Sequence, residues 1–180
     1  MSLRDTPRAE RESVRPYALA AVPGPLAIAH VSPRPWEDQD RQVNRQIRGT
    51  ADALAARGHR VLIVAPARSH EAVRATRQAL RSDPSSLLPE PGGPPRILAV
   101  GEVLPEITAT RRAPAVPVDV ARTIETMHDV VPLDVCHVHE PFAPSTSSAA
   151  LRHSRALNVG TFHVPTDRII STQLARRVVE

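Results

Sequence analysis

The sequence contains no lysine: all 23 of its basic residues are arginine. That is why a formal charge of only +4 coexists with a pI near 10.7, and the high pI therefore says little about partners. Aromatic residues make up 2% of the chain, and the arginines are interleaved with 19 acids rather than gathered. Nucleic-acid binding is excluded on both counts, since it calls for a clustered basic footprint and for rings on which bases stack. The single cysteine, Cys136, has no intramolecular partner, which rules out a disulfide-stapled scaffold and fits a reducing, cytoplasmic compartment. Long apolar runs are absent too. The N-terminal stretch carries charges of both signs and is interrupted at Pro23, Gly24 and Pro25, against a signal peptide or a membrane span. Residues 1–23 are expected to form a disordered tail. Missing as well are GxGxxG after the first apolar run, GxxxxGK[ST] and GxSxG, so dinucleotide, P-loop and nucleophile-elbow chemistries lose their main support.

What is present is a set of short apolar runs separated by helical patterns. At 180 residues and 41% hydrophobic content the chain can build one ordinary domain, here 24–180. Residues 25–31 (PLAIAHV), 60–65 (RVLIVA), 96–100 (RILAV), 134–139 (DVCHVH) and 157–162 (LNVGTF) read as strands. Runs apolar on both faces suit buried parallel strands. Between the first two, Val43, Ile47, Ala51, Leu54 and Ala55 recur at helical spacing, and Arg57, Gly58 and His59 supply a glycine stop with basic company. Helices are further expected over 69–81, over 116–130 with Asp119 as its cap, over 145–153 and over 167–179, with a proline-rich connector at 82–95. Strands alternating with helices predict an α/β fold, a Rossmann-like, doubly wound and mostly parallel sheet.

Such a sheet binds ligands beyond the carboxyl ends of its strands. That rule gathers residues 32–36, 139–141 and 163–166 on one rim. Two chemistries compete there. His137 and His139 alternate onto one side of a strand and, with Glu140 or His163, could ligate zinc or a similar ion, but a lone HxH without a second cluster leaves the expectation at no metal, with His137 structural. Alternatively, Glu140 and His163 stand at adjacent strand ends as polar groups able to bind hydroxyls and stabilise charge near a reacting centre.

Four segments in order, residues 28–36 (IAHVSPRPW), 51–66 (ADALAARGHRVLIVAP), 135–145 (VCHVHEPFAPS) and 160–163 (GTFH), resemble the N-terminal domain of family 4 glycosyltransferases, including phosphatidylinositol mannosyltransferases. The resemblance covers about residues 25–180, except the connector. It implies a GT-B architecture: two Rossmann-like domains facing across a cleft, the N-terminal one on the acceptor side and the C-terminal one holding a nucleotide sugar. It further implies that His163 lies by the donor sugar and the transferring centre, that His139 and Glu140 line the acceptor side with Trp36, and that transfer retains anomeric configuration with no metal and no cofactor besides the nucleotide-sugar co-substrate. The acceptor would be a small molecule or a lipid, reached in the cytoplasm or peripherally at the inner membrane face. Where the family carries a glycine pair before the first helix, so that backbone N–H groups approach the donor phosphates, this sequence has Arg41 and Gln42. Bulk there hinders close approach, and the Arg41 guanidinium is the alternative phosphate ligand. A donor-binding domain is not expected within these 180 residues, so turnover is expected only when a separate domain or chain completes the enzyme. The alternative is a non-catalytic binding or assembly module.

Overall fold

A computed structural model of the chain describes residues 24–102, 118–142 and 146–163. The tail at 1–23, the helix expected over 167–179, the loop after His163 and Ser145 lie outside the described residues. In chain order the elements are β1 (Ala27–Val31), α1 (Gln42–Ala56), β2 (Arg60–Ala67), α2 (His70–Ser82), a short 3-10 turn (Pro84–Leu87), β3 (Arg96–Glu102), α3 (Val118–Val130), β4 (Val135–His139), α4 (Thr146–His153) and β5 (Leu157–Thr161). The five strands pair in the order β3-β2-β1-β4-β5, and every neighbouring pair is parallel. The strand order reverses between β1 and β4, which makes their carboxyl ends the switch point of a doubly wound sheet.

Alternation along the strands divides the core in two. Ala29, Val31, Leu62, Val64, Leu98, Val100, Cys136 and Val138 face one way and pack under Ile124 and Met127 of α3 and Ala149 and Ala150 of α4. Val61, Ile63 and Ala65 face the other way, against Val43, Ile47, Ala51 and Ala55 of α1. The apolar period of α1 thus faces the sheet, and the helix ends where Gly58 adopts φ +90°, a conformation that costs other residues more. Asp134 staples the bottom of the switch point: its Oδ2 accepts the Ala27 N–H at 2.7 Å, while its own N–H donates to the Ala27 carbonyl at 2.9 Å.

Two local expectations need correction. Asp119 lies within the first turn of α3, and its carboxylate takes the Arg77 guanidinium at 2.6 Å instead of capping. The connector at 82–95 holds the short 3-10 turn, whose Ser86 N–H donates to Asp83 Oδ1 at 3.3 Å. Leu87, which ends that turn, and Leu88 just after it are buried in the core, so apolar side chains anchor a segment whose prolines alone suggest a plain linker.

Candidate active site

Because β1, β4 and β5 run parallel, the loops after them share one rim. Ser32 ends β1: its N–H donates to the Val64 carbonyl at 2.9 Å and its hydroxyl to Asn44 Oδ1 at 2.7 Å. Asn44, fully buried in the first turn of α1, donates through Nδ2 to the carbonyls of Pro35 at 2.8 Å and Asp38 at 3.0 Å. A single amide therefore fixes the whole β1–α1 loop to the helix. Thr146 at the start of α4 hydrogen-bonds the Ser32 carbonyl, tying this loop to the β4 side of the rim.

At the end of β4, His139 and Glu140 both reach His163, by different means. His139 Nδ1 lies 2.8 Å from His163 Nε2, which fixes the ring. Glu140 Oε1 accepts the His163 backbone N–H at 2.6 Å, which fixes the main chain. Glu140 is held to the task by a left-handed backbone, φ +52°, and by its own N–H, which donates to the Thr161 carbonyl at 2.8 Å. A positive φ at a glutamate is strained, and local strain of this kind gathers at functional sites. Ser147 of α4 donates to the His139 carbonyl at 2.6 Å, closing the corner.

Behind this pair stands a histidine that the sequence did not single out. His30 of β1 is opposite His137 of β4 in the parallel register, so both project to the α1 side of the sheet together with His139. His30 Nδ1 lies 3.4 Å from His139 Nε2, and both rings are buried. His137 stacks face to face on His139, with centroids 4.3 Å apart, and its Nε2 pairs with Thr161 Oγ1 at 2.7 Å. Burial holds the His30 pKa down to about 4, assisted by the neighbouring His137. Burial likewise lowers His139, with His137, His30 and His163 adding to it, and lowers His137, with His163 adding. The cluster is therefore neutral at physiological pH, a set of imidazoles rather than imidazoliums.

Three of these rings, His30, His137 and His139, bring a nitrogen each within 4.8 Å of one another, a spacing that a metal ion could use. Hydrogen bonds compete for these nitrogens: His139 is engaged through Nε2 with His30 and through Nδ1 with His163, and His137 through Nε2 with Thr161. The ligand set considered from sequence fares no better, since His163 Nε2 is engaged by His139 and Glu140 by the His163 main chain.

Of the remaining residues expected at the site, Trp36 moves to the core. It is 7% exposed, packed in the cluster of Val43 and Ile47, with the Arg48 guanidinium 5.2 Å from its ring and its backbone N–H donating to the Pro66 carbonyl at 3.0 Å. The apolar face of α1 draws the indole inward. Arg41 and Gln42 are exposed at the start of α1, Arg41 in extended conformation as its N-cap, and among the described residues no hydrogen bond or ion pair links them to His163. The family model described as Glycosyltransferase Family 4 matches residues 43–179.

The chain belongs to glycosyltransferase family 4. The match takes in His139, Glu140 and His163 of this glycosyltransferase domain and begins just after Arg41 and Gln42. No curated protein matches the chain. Among the described residues, no helix of the glycosyltransferase domain is long and apolar enough to cross a membrane. Two of its site residues, His30 and Asn44, escaped the sequence. Each is a lone polar residue in an apolar period, and only the register of β1 against β4, or the path of the β1–α1 loop, gives it a partner.

Proposed function

We propose that this domain is the acceptor side of a GT-B enzyme resembling phosphatidylinositol mannosyltransferases, moving a sugar from a nucleotide donor to a hydroxyl with retention of configuration. A second, donor-binding domain, in the same polypeptide or another, faces the rim. His163 meets the transferring centre, and Glu140 borders the acceptor. The transfer takes place in the cytoplasm or at the inner membrane face and needs neither metal nor cofactor. The double hold on His163 carries this reading: ring on His139, main chain on Glu140. A side chain so fixed is pre-organised, and fixed hydrogen-bonding groups stabilise developing charge without reorganising. In the complete enzyme, His163→Ala is expected to lower turnover about 100-fold, the cost of losing one aligned hydrogen-bond partner. Sugar release from a labelled nucleotide donor reads the effect, with circular dichroism as the control for folding. Unchanged turnover would remove His163 from the reaction.

The exposed Arg41 and Gln42, where a glycine pair would admit phosphate to the backbone, favour a second reading: a non-catalytic binding or assembly module. In the catalytic reading the Arg41 guanidinium takes over the donor phosphates. Titration calorimetry with nucleotide sugars, on the domain with and without its donor-binding counterpart, separates the two. Donor affinity appears only with the counterpart if the domain is catalytic, and not at all if it is a module.

A further inference from the structure

The rings of His30, His139 and His163 form a line. Their centroids are 5.7 Å and 5.1 Å apart, and the joining nitrogens 3.4 Å and 2.8 Å. Each centroid separation exceeds its nitrogen separation by about two ring radii, which is the condition for rings meeting edge to edge in the direction of their lone pairs. The interplanar angles of 35° and 23° keep the line nearly flat. His137, by contrast, lies on the face of His139 and takes no part in it.

Whenever its three rings are neutral, such a line has a direction. Each ring carries one N–H and one lone pair, so choosing the donor at one end chooses it at every link. Either each Nδ1–H points toward the rim, or each Nε2–H points toward the interior. The buried end decides between them. His30 is 0% exposed, and its Nε2 has no hydrogen-bond partner among the described residues. If the protons pointed inward, that nitrogen would be an N–H buried without an acceptor, the rarest and costliest arrangement for a polar group. With the protons pointing outward it is a bare lone pair, and His30 Nδ1–H donates to His139 Nε2 while His139 Nδ1–H donates to His163 Nε2. The 2.8 Å link is the strong one; the 3.4 Å link is the weaker bias behind it.

We infer that His139, oriented by His30, is a positioning residue that holds His163 in the Nδ1–H tautomer, so that His163 offers the ligand an N–H donor and not a basic lone pair. The inference rests on His163 facing the reacting molecules, as proposed above. It narrows the chemistry there: His163 binds an oxygen, a sugar hydroxyl or a phosphate oxygen, and does not remove a proton from the acceptor.

Nitrogen-15 spectra of histidine-labelled protein test this without any activity. In the unsubstituted chain at neutral pH, the His163 signals are expected to show Nδ1 protonated and Nε2 bare. Protonation of Nε2 instead would overturn the inference outright. In His139→Phe the His163 ring loses its partner and is expected to become a tautomer mixture. In His139→Gln, whose carboxamide can still donate to Nε2, the Nδ1–H form is expected to persist. A purely packing role for His139 predicts that both variants leave the tautomer unchanged and lower only the unfolding midpoint, which would also overturn it. Should either variant fail to fold, the spectrum of the unsubstituted chain still decides. Loss of transferase activity in His163→Ala tests the function separately, so the two ideas can fail independently.

Discussion

Acidification should weaken this fold well above the range in which carboxylates titrate, because neutral histidines are buried in two places. One is the rim cluster, where His30 is held at about 4. The other is His128 of α3, 7% exposed, also held at about 4 by burial first and the neighbouring His153 second. In the unfolded chain a histidine titrates near 6.5, so between the two values the unfolded state binds more protons than the folded one. Stability then rises with pH through that window, is complete above about 6.5 and is lost as pH falls toward 4. A single group shifted this far costs about 2 kcal/mol at pH 5 relative to pH 7, by the linkage of roughly 1.4 kcal/mol per pKa unit. His30 and His128, each held at about 4, together contribute about 4 kcal/mol, and His137 and His139 add to that because mutual repulsion keeps protons off the folded cluster. Against a typical domain stability of roughly 5–15 kcal/mol that is a large share. Urea melts followed by circular dichroism at the two pH values measure it directly. His128→Leu removes one titrating site and should cut the pH dependence by about 2 kcal/mol. A loss below about 1 kcal/mol, or an unaltered slope in His128→Leu, would refute the assignment of buried neutral histidines.

Asn44→Ala should destabilise the domain by about 2–4 kcal/mol, since it removes at once the hydrogen bonds to the Ser32 hydroxyl and to the carbonyls of Pro35 and Asp38; thermal and urea unfolding read the cost. Gly101→Ala should cost about 1–3 kcal/mol in the same assays, because a methyl group there overlaps the Val120 side chain where α3 presses on β3. Cys136, buried with its thiol pushed up to about 11 by burial, should resist thiol reagents in the native protein and react at the rate of unfolding; rapid labelling under native conditions would contradict its place in the core.

The strands were legible because burial on both faces leaves a continuous apolar run, and the five runs near 27, 60, 96, 135 and 157 are all strands. α1 was legible from its period and from Gly58, whose positive φ serves the turn. The rim was legible by topology alone, since parallel strands put their carboxyl ends together. Side-chain destinations were less so. Trp36 stands in the right loop, but whether its ring turns to the ligand or to α1 depends on packing volumes that spacing does not encode. His30 reads as one polar interruption in an apolar strand, and its meaning comes from the register that sets it opposite His137. Glu140 was chosen as a polar group at a strand end; its left-handed backbone and its grip on the His163 main chain are tertiary facts.

The line of histidines also has a history within each folding event. His139 and His163 are 24 residues apart, within one β4-α4-β5 crossover, whereas His30 and His139 are 109 apart and meet only when β4 docks beside β1. Local closures are fast and distant ones slow, because chain entropy must be spent before the contact returns anything. The ring at the rim can thus find its neighbour while the two halves of the sheet are still separate. The ring that gives the line its direction joins only at the last docking, so the rim acquires its polarity in the same step that completes the domain.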